Sequence, residues 1–139
     1  MQELHNNIEK STRKIFRIFF GSKLYKKKKW ESLSNDLLGV DLYLNYNGNK
    51  RLYLYLEDET INSIMDSLLI DKDIQPSDKV ASDIIREMAC LITGNAVEDE
   101  CEELRISTPS RFQNIKPINE NTLNFSSKLG NLSIGIEDI

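Results

Sequence analysis

The sequence predicts an α+β fold in which helices pack on one face of a largely antiparallel sheet. Two observations support this prediction. Segments with helical spacing and segments with period-two alternation are both present, and their order is helix, hairpin, two helices and then several strands. The chain has 139 residues, enough for one core but not for two independent units. Residues 1–139 are therefore expected to form a single domain.

The first helix is expected from Gln2 to about Phe20, because apolar residues recur there near helical spacing. Gly21 is a suitable stop, since glycine readily adopts the left-handed conformation that commonly follows a helix. The apolar positions of this helix are Leu4, Ile8, Ile15, Ile18 and Phe19.

A β-hairpin is expected on either side of Asn47-Gly48, a dipeptide typical of tight hairpin turns. One face of both strands is rich in leucine and should cover the core. The opposite face is rich in tyrosine, and two interpretations stay open: packing across strands under a helix, or a partner surface. The leucines are Leu42, Leu44, Leu52, Leu54 and Leu56, and the tyrosines are Tyr43, Tyr53 and Tyr55.

Two more helices and three strands are expected after the hairpin. The second helix should run from about Glu59 to Ile70, and the third from Ser77 or Asp78 to a stop at Gly94. A strand ending before Pro109 and a closing hairpin around Lys128–Asn131 complete the sheet. The strands are expected at Leu104–Thr108, Thr122–Ser127 and Leu132–Ile136, and the core-facing arc of the third helix at Val80, Ile84, Met88, Leu91 and Ile92.

The composition excludes several functional classes. Two cysteines and one histidine are too few for a four-ligand structural zinc site, so no metal site is expected. His5 lies near the chain end, which argues against histidine-dependent catalysis. No apolar run approaches the roughly 20 residues that span a bilayer, and residues 1–10 lack the pattern of a secretory signal. A cytoplasmic protein with free thiols and no membrane contact is therefore expected.

The net charge of −4 conceals an asymmetry. Residues 1–30 carry nine Lys or Arg and two acids, a net of +7, whereas the remainder of the chain carries −11. The run Lys26–Lys29, with Lys23, Tyr25 and Trp30 around it, could form a nucleic-acid patch. The alternative is a solvated helix end followed by a connector, with Trp30 turned toward the core. The acidic remainder favours the alternative, so no nucleic-acid partner is expected.

The third helix carries a second stripe beside its apolar arc. Asp83, Glu87, Cys90 and Gly94 follow spacings of four, three and four, so a partner could contact them as one line. Two acids at this spacing are also typical of a solvated helix face, and a cysteine is often plain core filling. The residues around the stripe decide between these interpretations.

The motif Asp83-x3-Glu87-x2-Cys90-x3-Gly94-Asn95-Ala96, followed by Ser107-Thr108-Pro109, resembles the CheX branch of the CheC, CheX and FliY chemotaxis phosphatases. The resemblance extends over nearly the whole chain, from the first helix through the Gly48 turn to the closing hairpin with Gly130. It implies a protein that binds a phosphorylated CheY-type response regulator and hydrolyses its aspartyl phosphate.

The resemblance also implies roles for individual residues. Glu87 would pair with a basic residue of the regulator, and Asp83, Arg86 and Gly94 would belong to the same partner-binding surface. The family's catalytic Asn, which orients the attacking water, corresponds to Cys90 here. The chain itself needs no cofactor on this interpretation, since the Mg²⁺ used in hydrolysis is expected in the regulator. A homodimer formed through the sheets is also implied.

Cys90 leaves the enzymatic activity open, because a thiol is a weaker donor and acceptor than a carboxamide. The chain is therefore expected to be either a phosphatase that uses Glu87 and Cys90, or a catalytically degenerate binding or scaffold module. A covalent role for Cys90 is disfavoured, since only Arg86 is a candidate for lowering its pKa. A third interpretation is a structural dimer or flagellar-switch component that contacts no regulator.

Overall fold

The computed structural model describes residues 2–27, 36–70, 73–97, 102–113 and 122–139. These residues form three helices and a sheet of seven strands. The helices are α1 (Gln2–Phe20), α2 (Asp58–Leu69) and α3 (Asp78–Val97); the strands are β1 (Tyr25–Lys26), β2 (Asp36–Asn45), β3 (Asn49–Glu57), β4 (Glu102–Ile106), β5 (Ser110–Gln113), β6 (Leu123–Ser127) and β7 (Gly130–Asp138).

The strands are arranged in the order β1-β6-β7-β3-β2-β4, and β5 also pairs with β2. Every pairing is antiparallel. The predicted α+β class, with a largely antiparallel sheet, is confirmed. None of the helices in the described part of the chain is long and apolar enough to cross a membrane.

The predicted central hairpin is confirmed, with Asn45 opposite Asn49 and Leu42 opposite Leu52. Asn47 and Gly48 both adopt positive φ, at 53° and 109°. Asn and Gly tolerate this left-handed region better than other residues, which is why this dipeptide closes the hairpin. The closing hairpin is confirmed as well, and its β6 and β7 strands turn at Lys128 and Leu129.

All three helices pack against the leucine face of the sheet. The hairpin leucines lie in one buried cluster with residues of α1, α2 and α3. Tyr53 and Tyr55 lie on the opposite face, in a separate cluster with Leu37. None of the three described helices covers these tyrosines, because strand alternation turns them away from the helical layer. They are nevertheless buried, so they do not form an open partner surface.

The predicted end of α3 at Gly94 is wrong. The helix continues past Gly94 for one turn, to Val97. Ala96 and Val97 are both buried there, and the side-chain amide of Asn95 donates a hydrogen bond to the Leu91 carbonyl. Burial of these apolar side chains outweighs the cost of about 1 kcal/mol for glycine inside a helix.

Two short strands are not predicted from the sequence. β1 follows Gly21, which ends α1 with a φ of 57°, and it pairs with β6. In this segment Lys26 forms an ion pair with Glu9 at 3.0 Å, whereas Lys28, Lys29 and Trp30 lie outside the described residues. β5 follows Pro109 and pairs with β2 on the same edge as β4. Both strands are too short to show an alternation in the sequence.

Candidate functional site

The α3 helix begins with a defined cap. The backbone N–H of Val80 donates to the Ser77 hydroxyl at 3.2 Å, which satisfies one of the free donors at the helix start. Asp78 in the first turn carries a negative charge where the helix dipole favours it. Arg111 of β5 forms ion pairs with both Asp78 and Asp58, the first residues of α3 and α2. The start of α3 is therefore tied to α2 and to the sheet edge.

The buried side of α3 is rotated relative to the predicted arc. Met88 and Ile92 are buried as predicted, but Val80, Ile84 and Leu91 are only half-buried at the rim. The remaining buried positions are Ala81, Ile85, Ala89, Thr93, Ala96 and Val97. The small alanines allow α3 to approach α1 and the sheet closely, which hydrophobicity alone does not reveal.

The predicted stripe lies on the outside of α3, as expected. Asp83, Glu87 and Gly94 are exposed and Cys90 is half-buried. We refer to Asp83, Glu87, Cys90 and Gly94 as the α3 stripe.

Four of the predicted site residues border one shallow groove of about 310 Å³. Asp83, Arg86, Glu87 and Cys90 line it from α3, and Ile106 at the end of β4 closes it from the sheet. We call this the polar groove. Gly94, the fifth predicted residue, lies outside it, one helical turn beyond Cys90. The role of Ile106 is not predicted from the sequence, because only the pairing of β4 with β2 brings it near α3.

Most of the charged side chains of the polar groove form no ion pair within the described ranges. Asp83 pairs with Lys79 on the same helix at 3.1 Å, and both side chains are well exposed. Glu87 and Arg86 form no ion pair with any residue in the described ranges. Because these charged side chains are exposed and form no ion pair there, a partner can bind them without first breaking one.

Cys90 is a protonated thiol at neutral pH. Burial raises the pKa of this thiol, the Glu87 carboxylate raises it further, and Arg86 opposes the shift. The thiolate is the nucleophilic form, so this environment disfavours covalent chemistry at Cys90. Among the described residues no group of three or more His, Cys, Asp or Glu side chains is placed to hold a metal ion.

Asn95, the nearest carboxamide on α3, does not line the polar groove. It lies with Lys10, Lys14 and Tyr46 along a different cavity, of about 340 Å³, between α1 and the end of α3. Five residues separate it from Cys90, which corresponds to a rotation of roughly 140° around the helix. The two side chains therefore face different surfaces.

The Ser107-Thr108-Pro109 segment has a structural role next to the groove. The Ser107 hydroxyl accepts a hydrogen bond from the Asp41 N–H at 2.9 Å, and the Ser107 N–H donates to the Asp41 carbonyl at 2.8 Å. These bonds hold the chain to β2 where β4 ends and before β5 begins. They thereby fix Ile106 in the wall of the polar groove.

Comparison with known proteins finds likeness in structure and not in sequence. No family profile matches the sequence, and no curated protein matches it. The chemotaxis protein CheX from Desulfovibrio desulfuricans is 16% identical, with a TM-score of 0.66 over 97% of this chain and 98% of that one. CheX from Vibrio vulnificus is 17% identical, with a TM-score of 0.66 over 95% of each chain.

A third similar structure is a complex of CheX, CheY, BeF3 and Mg²⁺ from Borrelia burgdorferi. Its identity to this chain is 16% and its TM-score is 0.64, over 96% of this chain and 97% of that one. In all three comparisons the likeness extends over nearly the whole chain. The chain therefore has the fold of the CheX, CheC and FliY chemotaxis phosphatase family.

Proposed function

We propose that this chain binds a phosphorylated CheY-type response regulator through the α3 stripe and the polar groove. The observation that carries the proposal is the exposed Glu87, which has no ion-pair partner among the described residues and lines the groove between Asp83 and Cys90 on α3. The stripe stands on a fold that is also found in a complex with CheY. On this proposal Glu87 pairs with a basic group of the regulator and sets the register of the complex.

Gly94 supports a closely approaching partner. It lies inside α3 with helical geometry, and a Cβ built on it meets nothing within 4 Å. Neither a positive φ nor internal crowding therefore accounts for glycine at this position, although it weakens the helix. Close passage of a partner backbone along the stripe would account for it.

Hydrolysis of the aspartyl phosphate is the finer part of the proposal. Water is the nucleophile in such a reaction, and catalysis depends on positioning and on charge stabilisation. The Mg²⁺ belongs to the regulator in this scheme. Cys90 would have to orient the water with a protonated thiol, so the alternative is a binding or scaffold module that docks without hydrolysis. Both forms use the same docking surface.

Association of two copies through their sheets stays a prediction. It is tested by sedimentation of the purified chain over a range of concentrations, and it is independent of the α3 stripe.

The docking proposal is tested with the Glu87→Lys variant. The regulator is a CheY-type protein from the same cell, activated with beryllofluoride, and affinity is measured by calorimetry. Glu87→Lys should abolish binding, because it replaces attraction to a basic group by repulsion, and its unfolding midpoint should stay within a few degrees of the wild type.

Asp66→Lys is the matched control. Asp66 is also exposed on a helix, α2, and the charge change is identical. This control should bind like the wild type. Undiminished binding by a folded Glu87→Lys protein, or no binding by the wild type, contradicts the proposal.

A further inference from the structure

A second groove lies along α3, next to the polar groove. It is formed by α1, α2 and α3, has a volume of about 150 Å³, and every residue in its wall except Glu87 is apolar. We call it the apolar groove. Its apolar residues are Ile15, Phe19, Phe20, Leu68, Ile84, Met88 and Leu91.

The end of α1 leaves large apolar side chains in solvent beside this groove. Phe19, in its wall, is 51% exposed, and the neighbouring Ile18 is 58% exposed. Ile84, Leu91 and Leu68 are only half-buried. Exposed apolar side chains around a groove favour contact with a partner that removes them from water.

The two grooves share one residue. Glu87 contributes to the wall of both, so α3 forms the ridge between them. Ile84 and Leu91 lie one turn before and one turn after Glu87, a span of about 10 Å along the helix. The apolar groove is therefore continuous with the proposed docking surface.

A protein docked on the polar groove would also cover the apolar groove, because an ordinary protein interface is larger than either groove. A stable complex buries roughly 800 Å² on each partner, which corresponds to a disc about 16 Å in radius. A regulator centred on Glu87 would extend over both grooves. At such interfaces a few side chains that fill well-packed pockets carry most of the affinity.

We infer that the apolar groove receives a single aromatic or branched aliphatic side chain of the docked response regulator. A cavity of about 150 Å³ lined by aliphatic and aromatic side chains has room for a benzene-sized group. Burial of that group provides affinity, whereas the pairing of Glu87 provides register. This inference rests on the proposed function, because it specifies the chemistry of the same partner.

The test compares Phe19→Ala with Ile74→Ala, again with the beryllofluoride-activated regulator. Ile74 is a matched control, because it is 49% exposed and does not line the groove. Phe19→Ala should bind at least tenfold more weakly than the wild type, and Ile74→Ala should bind within twofold. Phe19→Leu should restore most of the affinity, because it returns an apolar wall to the groove.

A second measurement avoids any dependence on how Phe19→Ala folds. Methyl resonances of Leu68, on the α2 wall of the groove, are followed in the wild-type protein as the regulator is added. They should shift, whereas the methyls of Leu37, in the cluster on the opposite face of the sheet, should not.

The outcomes separate the inference from the proposed function. If the wild type binds and Glu87→Lys does not, but Phe19→Ala binds normally and the Leu68 methyls stay in place, the inference fails and the docking proposal stands. If the wild type binds no CheY-type regulator, both fail. If the wild type is a dimer that Phe19→Ala converts to a monomer while regulator affinity is unchanged, the groove belongs to a second copy and the inference fails.

Discussion

At the scale of single residues, the two forms of the proposed function differ at Cys90: one needs this side chain to support hydrolysis, and the other does not. Its side chain points into the polar groove beside Glu87, where the proposed reaction would need a group that orients water. A carboxamide offers a donor and an acceptor in one plane, whereas a protonated thiol is weak in both respects. Because burial and Glu87 raise the pKa of the thiol, the thiolate is not available as a stronger acceptor at neutral pH.

The Cys90→Asn variant should therefore dephosphorylate the regulator faster than the wild type, by about 10²–10³-fold, the usual value of one well-placed polar group. Release of phosphate from the phosphorylated regulator measures this rate. Cys90→Ala, which adds no amide, is the control and should not be faster than the wild type. A fast wild type that Cys90→Asn does not improve would show that the thiol already performs the task, or that another residue does.

At the scale of the elements, Gly94 and Gly135 differ in whether the fold leaves room for a side chain. Gly94 in α3 faces open space, so a methyl group there meets no obstacle. Gly135 in β7 lies opposite Tyr53 of β3, and a Cβ on it would overlap the phenol ring. The ring crosses β7 at this glycine, and the Tyr53 hydroxyl hydrogen-bonds the Thr122 hydroxyl at 2.6 Å.

Gly94→Ala should stabilise the protein by about 0.5–1 kcal/mol, because alanine is the better helix former. Gly135→Ala should destabilise it by about 1–3 kcal/mol, because the buried Tyr53 ring must shift. Urea unfolding of both variants beside the wild type measures the two changes. Gly94→Ala should also weaken regulator binding despite its greater stability, and a gain in both properties would contradict close approach of the partner at this turn.

At the scale of the whole molecule, α1 carries a buried histidine near the end of β7. His5 is 9% exposed, and its Nε2 atom has no hydrogen-bond partner among the described residues. Burial lowers the pKa of His5 below its usual value of 6.5, although Asp138 at the end of β7 acts in the opposite direction. Protonation of His5 therefore places a charge where α1 meets the rest of the fold.

The sign of the pH dependence follows from this shift. A histidine whose pKa is lower in the folded state binds its proton more readily in the unfolded state. The free energy of unfolding should therefore be unaffected by His5 above pH 6.5 and should decrease as the pH falls below that value. Urea unfolding at pH 7.5 and pH 5.0 measures the difference, and a His5→Gln variant should show less of it.

An equal loss of stability in His5→Gln would assign the effect to other groups. Asp138 acts in a lower pH range than His5. Its pKa is lowered in the folded state, so the stability that this carboxylate contributes is lost only as the pH falls below the usual aspartate value of 3.8. The range from pH 7.5 to 5.0 therefore lies above the range in which Asp138 titrates.

The sequence by itself determined the features that depend on local chemistry. The Asn47-Gly48 turn, the alternation of the hairpin leucines and the stop of α1 at Gly21 are each a matter of backbone preference or of periodicity over a few residues. The outward position of the α3 stripe followed from the same periodicity, and with it the placement of Glu87 and Cys90.

Tertiary structure decided the rest, because it depends on contacts between residues far apart in the chain. α3 continues beyond Gly94 because Ala96 and Val97 are buried in the core. Alanines that permit close packing determine which side of α3 is buried. Ile106 reaches the polar groove only through the pairing of β4 with β2, and Phe19 meets Leu68 and Leu91 only when three helices pack on one face. Periodicity reports which face of an element is apolar, but the partner that covers that face is chosen by the assembled fold.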